Sequence, residues 1–167
     1  MPTSSKGRLA LGALREFAAR GYAPVSVAEI AAVAGVTTGS LYHHFGGKPE
    51  LYGFVRDEVE RRVLDRMEGA LAARADDGRA AAVRAALLVG FDYVAREDFA
   101  RLLGEPRPGG DEDPIEALLE RALDANGAPL GRLLAAAWRA ALLAVIDGLP
   151  VAETRDALEA LSFGGPT

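Results

Sequence analysis

Residues 26–48, SVAEIAAVAGVTTGSLYHHFGGK, constrain the fold more than any other stretch of the chain. Ser26 followed three residues later by Glu29 is a capping box, so a helix starts at 27. Its small run of Val27, Ala28, Ile30, Ala31, Ala32 and Ala34 ends at Gly35, giving a helix over 27–34. Gly35-Val36-Thr37 is too short for anything but a sharp corner, and glycine makes such a corner without a Cβ clash. Thr37 caps a third helix over about 38–44, and Gly46-Gly47 stops it. Two short helices joined by a three-residue turn cannot bury themselves alone. Val36, Leu41 and Phe45 need a third surface, and the alanines let a neighbour approach closely.

That surface is supplied on both sides. Leu9, Ala10, Ala13, Leu14, Phe17 and Ala18 recur at helical spacing, which predicts a helix over 5–20 closed by a left-handed Gly21, with Pro24 breaking the path. After Gly47 a long helix is predicted over 48–74. Pro49 is tolerated in its first turn, and Glu50 suits the positive end of the helix dipole. Its apolar stripe is Leu51, Phe54 or Val55, Val59, Val63, Met67 and Leu71. Asp76-Asp77-Gly78 is a break. Helices are expected over 79–95 and 97–103, then from Asp113-Pro114 to Asn126-Gly127, over 129–147 and over 152–163, the last carrying Ala157, Leu158, Leu161 and Phe163. Gly104 to Asp113 reads as a loop. With 33 Ala, few β-branched residues outside 25–36 and no cysteine, the chain is expected to be all-α, without disulfides or a cysteine metal site. The fold class is all-α: an N-terminal three-helix bundle with a helix-turn-helix over 1–47, followed by a second helical domain over 48–167.

Charge divides the chain in the same place. The net charge of −5 argues against a polyanionic partner, but residues 1–48 hold five basic and two acidic side chains, for +3, leaving −8 on the rest. A basic head on an acidic body confines attraction for a polyanion to one end. The exposed side of the second short helix is left with Thr38, Gly39, Ser40, Tyr42, His43 and His44. These hydroxyls, rings and imidazoles suit the base edges and phosphates of a DNA major groove. Lys48, at the start of the long helix, can hold a phosphate together with the free amides there.

Leu14, Phe17, Gly21-Tyr22, Ser26-Val27, Ile30-Ala31, Ala34-Gly35-Val36-Thr37, Gly39, Leu41-Tyr42, His44-Phe45, Lys48 and Leu51 together resemble the TetR-type transcriptional repressors. The resemblance covers roughly the first third of the chain; the remainder agrees in architecture. It implies a cytoplasmic homodimer that binds a near-palindromic double-stranded DNA operator and releases it in response to a small effector. Ser26, Thr37, Tyr42, His44 and Lys48 would then contact phosphates, and Thr38, Gly39, Ser40 and His43 would read bases. Gly47 departs from the pattern, standing where the family usually has a capping Ser, Asn or Asp, so the long helix is expected to fray at its start.

In the body, Phe91, Tyr93, Phe99, Trp138 and Leu142 hold most of the aromatic mass and are the candidate pocket for an apolar or amphipathic effector. Ordinary core packing explains any one of them as well. Arg84, Asp92, Tyr93 and Arg139 are the polar candidates beside them. The helix over 129–147 is apolar on both sides, which favours burial against a second copy. Leu130, Leu134, Ala137, Ala141, Val145, Leu158 and Leu161 are the candidate dimer interface. An alternative is a helical regulator that answers to a protein partner or to no small molecule. Enzymatic activity is not expected: the body has neither His nor Cys and carries none of the hydrolase, zinc-protease or phosphate-loop motifs, leaving only carboxylate chemistry. No cofactor is expected. The acidic run Asp111-Glu112-Asp113 lacks cation-loop spacing and reads as a solvated loop and helix cap. No secretory leader or membrane span is read, the longest nearly uncharged run, 133–146, being interrupted by Arg139.

Overall fold

The computed structural model describes residues 4–105, 113–123 and 129–161. Phe163, Asn126-Gly127, Asp111, Glu112 and most of the 104–113 loop lie outside them. Among the described residues all regular secondary structure is helical, and the chain divides into two compact units, Met1–Val59 and Glu60–Thr167.

The first unit holds α1 (Ser5–Arg20), α2 (Val27–Ala34), α3 (Thr38–Phe45) and the opening turns of α4 (Lys48–Ala73). The boundary falls later than 47 because α4 starts as part of the head's core. The Tyr52 ring stands edge-on to Phe17 at 5.0 Å, Phe54 meets Phe45 at 5.3 Å, and Leu51 and Val55 are buried. This boundary also changes the charge balance. Arg56 joins the basic side and Glu50, Asp57 and Glu58 the acidic, so the unit Met1–Val59 carries six basic and five acidic residues, net +1. The charge total of this unit is therefore no argument for a polyanionic partner, and only the placement of its charges could be.

Local chemistry sets the helix limits. Gly35 sits at φ 64°, ψ 39°, the left-handed conformation that the corner demands. Gly21 also has positive φ, 79°, but its ψ of −179° takes it out of the left-handed helical well expected for it. α4 begins at Lys48 although Gly47 offers no capping side chain. The Leu51 N–H donates to the Gly47 carbonyl at 3.1 Å, and the Glu50 carboxylate folds over Gly47, where an added Cβ would lie 2.9 Å from Oε2.

In the second unit α4 continues to Ala73, and α5 (Arg79–Arg96), α6 (Ala100–Gly104), α7 (Pro114–Leu123), α8 (Leu130–Ile146) and α9 (Val151–Glu159) follow. The short helix α6 starts later than expected because Asp98 adopts φ 59°, a left-handed turn that aspartate tolerates better than most residues. α8 packs most extensively on α7 and α6, while α9 lies on α5 and α8. The α7–α8 approach is close: a Cβ at Gly131 would stand 2.5 Å from the Glu120 backbone nitrogen. Val63 and Met67 of α4, Val83, Leu87 and Phe91 of α5, Leu102, Leu103, Ile115, Leu119, Trp138 and Leu142 form the buried core.

Candidate nucleic-acid interface

The site begins with two capped helix starts. Ser26 Oγ accepts from the Glu29 N–H at 3.2 Å, and the Glu29 carboxylate accepts from the Ser26 N–H at 2.7 Å. Thr37 Oγ1 accepts from the Ser40 N–H at 3.2 Å. Each hydroxyl thus accepts locally and keeps its own proton to donate, as a phosphate oxygen requires. The bonds to Ser26, joined by Arg20, hold the Glu29 carboxyl far below the usual carboxylate range, at about 2. Arg20 spans Glu29 at 2.9 Å, Glu16 at 3.1 Å and the Pro24 carbonyl at 3.1 Å. Its pKa is raised by Glu29 first and Glu16 second. Arg20 is therefore a brace between α1 and the start of α2, a role its place in the charge count does not reveal.

The outer side of α3 is open. Thr38, Gly39, Tyr42, His43 and His44 are exposed and Ser40 is half-buried, while Leu41 is buried beneath them. Tyr42 keeps 56% of its surface in solvent, a poor position for a ring with only a packing role. The His43 and His44 rings stand 5.1 Å apart. Gly39 has only Thr37 Oγ1, 3.7 Å from an added Cβ, in its vicinity, so a groove can come close to its backbone. Ser26 and Thr37 are exposed and Lys48 is half-buried. Lys48 Nζ donates to the Ala23 carbonyl at 3.3 Å and lies 4.2 Å from the Tyr22 ring centroid. Two further features escaped the sequence reading. Ser4 caps α1, and Lys6 Nζ sits over Phe45 and Phe54 at 5.7 and 5.4 Å.

The body's candidate residues divide differently. Phe91, Trp138 and Leu142 are fully buried, Tyr93 nearly so, and Phe99 half-buried. The Trp138 indole N–H donates to the Leu87 carbonyl at 3.0 Å, so its polar edge is already committed. Tyr93 meets Phe99 at 6.3 Å and lies under the Arg66 guanidinium at 3.8 Å. The polar candidates are engaged as well. Asp92 holds Arg155 at 2.9 and 3.1 Å, and Arg84 reaches the Leu161 carbonyl at 3.4 Å. Arg139 grips Asp113 at 2.7 and 3.0 Å, the Leu103 carbonyl, and Glu60 at 3.8 Å. Asp113 also caps α7, accepting from the Ile115 and Glu116 N–H groups at 3.0 and 3.4 Å.

Two of the candidate interface residues need correction. Leu134 of α8 and Leu158 of α9 are buried within the single chain, α8 packing on α6, α7 and α9, and α9 on α5 and α8. Leu130, Ala137, Ala141, Val145 and Leu161 are half-buried. The open apolar face of α8 is Leu133, Ala136, Ala140 and Leu143, with Leu133 keeping 60% of its surface exposed.

Capped helices meeting at a tight corner, with a polar aromatic face outward, define a helix-turn-helix, here followed by a helical body. Residues 11–53 match the model of the bacterial regulatory proteins of the tetR family. Over 62 residues, 37% of this chain, it is 44% identical to the HTH-type transcriptional repressor KstR2 of Mycobacterium tuberculosis. The chain spans 29% of the length of that relative. Two solved structures resemble nearly the whole chain. One is a Shewanella sp. PV-4 protein assigned to the tetR family of transcription regulators, with TM-score 0.67 and 20% identity, covering 94% of this chain and 95% of the other. The second is the fatty acid degradation regulator FadR of Bacillus halodurans, with TM-score 0.62 and 15% identity, covering 92% and 97%. At these identities the likeness shows the fold. Residues 11–53 thus carry the motif of the tetR family, and the chain has the fold of these solved structures. Among the described residues, no helix is long and apolar enough to cross a membrane.

Proposed function

We propose that the protein is a ligand-responsive transcriptional repressor that binds a near-palindromic DNA operator as a homodimer. One observation carries the reading: the two capped helix starts and Lys48 flank an α3 whose outer face is open. Ser26, Thr37, Tyr42, His44 and Lys48 are assigned to phosphates, and Thr38, Gly39, Ser40 and His43 to base edges. Dimerisation follows from α8. A helix whose exposed face is Leu133, Ala136, Ala140 and Leu143 gains by covering it, and a second copy brings the same strip. Two heads would then meet successive major grooves about 34–36 Å apart. An apolar or amphipathic effector entering among Phe91, Tyr93, Phe99, Trp138 and Leu142 must displace well-packed side chains, so binding would reshape the body. α4 is one helix with residues in both units, and it is the covalent route from such a change to Lys48. Selection of bound duplexes from a random pool is the test. An enriched inverted repeat is expected, and a pool that stays random would refute the reading.

A further inference from the structure

Lys48 is held by its own head before any duplex arrives. Its ammonium lies 4.2 Å from the Tyr22 ring centroid, within cation–π range, and 3.3 Å from the Ala23 carbonyl. The Tyr22 ring is itself fixed: it stands edge-on to Tyr52 at 4.9 Å and tilted to Phe17 at 6.1 Å, and those two rings meet at 5.0 Å. Phe17 and Tyr52 are buried. The turn after α1, the end of α1 and the second turn of α4 thus converge on one half-buried lysine.

Resting on the DNA-binding reading above, we propose that Tyr22 is a positioning residue for Lys48, presenting its ammonium to a phosphate at the start of α4. A lysine stem is long and flexible, and gripping a phosphate ordinarily costs rotamer freedom. Here the ring face and the carbonyl have already restricted the stem. An ammonium has three N–H donors, and the Ala23 carbonyl accepts one, so donors remain for phosphate oxygens. Tyr22 contributes through its ring face; its hydroxyl has no part in the role. The residue therefore acts on affinity without adding or removing charge at the interface.

The experiment is a double-mutant cycle on the full chain, titrating a selected duplex at several salt concentrations. Lys48→Ala is expected to weaken binding and to flatten the log–log salt slope by about 0.9 per half-site, as loss of one phosphate contact should. Tyr22→Leu is expected to weaken binding roughly two- to fivefold per half-site with the slope unchanged. Tyr22→Phe keeps the ring and should bind as the parent does. In the Lys48→Ala background, Tyr22→Leu should cost nothing further. Equal losses in both backgrounds would mean that Tyr22 only holds the fold, which overturns the proposal. A second measurement stands apart from both DNA and the leucine variant's ability to fold. In the parent, the Lys48 ε-methylene protons should be shifted upfield by the Tyr22 ring current. An unshifted signal overturns the pairing. A parent that binds no duplex overturns the DNA-binding reading and this role with it, whereas a parent that binds without coupling between Tyr22 and Lys48 overturns this role alone.

Discussion

Each unit taken by itself is held by a different range of polar contact. In the head most are local: Ser4 to Gly7, Ser26 to Glu29 and Thr37 to Ser40 each span three residues. In the body, remote contacts join local ones such as the Asp113 cap. Trp138 reaches Leu87 across 51 residues, Arg155 reaches Asp92 across 63, and Arg84 reaches Leu161 across 77. A local cap fixes where a helix starts and is written in neighbouring letters. A remote bond fixes where one helix lies against another and exists only once the chain has folded. The head therefore has predictable edges on which to mount a recognition surface, while the body's specificity rests on packing.

The largest effect should come from the remote kind. Trp138→Ala removes a fully buried ring and leaves the Leu87 carbonyl without its donor. It is expected to cost the body about 3–5 kcal/mol in urea denaturation. A loss below about 1 kcal/mol would show that the ring lies in a site already loosely packed. Charging α8 tests which of its faces belongs to the chain itself. Leu142→Asp is expected to unfold the body, and Leu133→Asp to leave folded monomers in sedimentation. A stable dimer from Leu133→Asp would remove that strip from the interface. In the head, Thr38→Ala or Ser40→Ala should change base preference at one position of each half-site by about 1–3 kcal/mol, read by competition between duplexes. An unchanged profile would withdraw that residue from base reading.

The smallest effect is acid dependence. The folded Glu29 carboxyl titrates at about 2, below its ordinary value of 4.5, because Ser26 and Arg20 hold the charged form. Its contribution to stability is full above 4.5 and is lost as pH falls toward 2. Glu29→Gln should flatten the acid limb of the stability curve in that interval. An unchanged limb would place the brace between α1 and α2 elsewhere.

Much of this molecule can be read from sequence because caps and breakers are short-range. The ends of α2, the corner at Gly35 and the starts of α3 and α7 lie where Ser26, Glu29, Thr37, Asp113 and Pro114 place them. The open face of α3 follows from the same periodicity that buries Leu41. Asp98 is harder to read, since a left-handed aspartate leaves no pattern that separates it from a helical one. The open apolar strip on α8 is harder still. A helix apolar all round does not state which side its own chain covers, so Leu134 and Leu133 look alike until α6, α7 and α9 are in place.

What the sequence determined by itself is the helical class, the capped corner and the family motif of the head, because these depend on contacts three or four residues apart. Tertiary structure alone decided that Trp138 turns its N–H to Leu87, that Arg139 joins Asp113 to Glu60, and that Lys48 rests on Tyr22. Each of those needs two distant segments brought within a few ångströms, and no local pattern encodes that distance. The head's charge was settled in the same way. A net +3 over residues 1–48 becomes +1 once the core claims the opening turns of α4, so the proposed DNA contact rests on where Lys48 is held more than on the charge total.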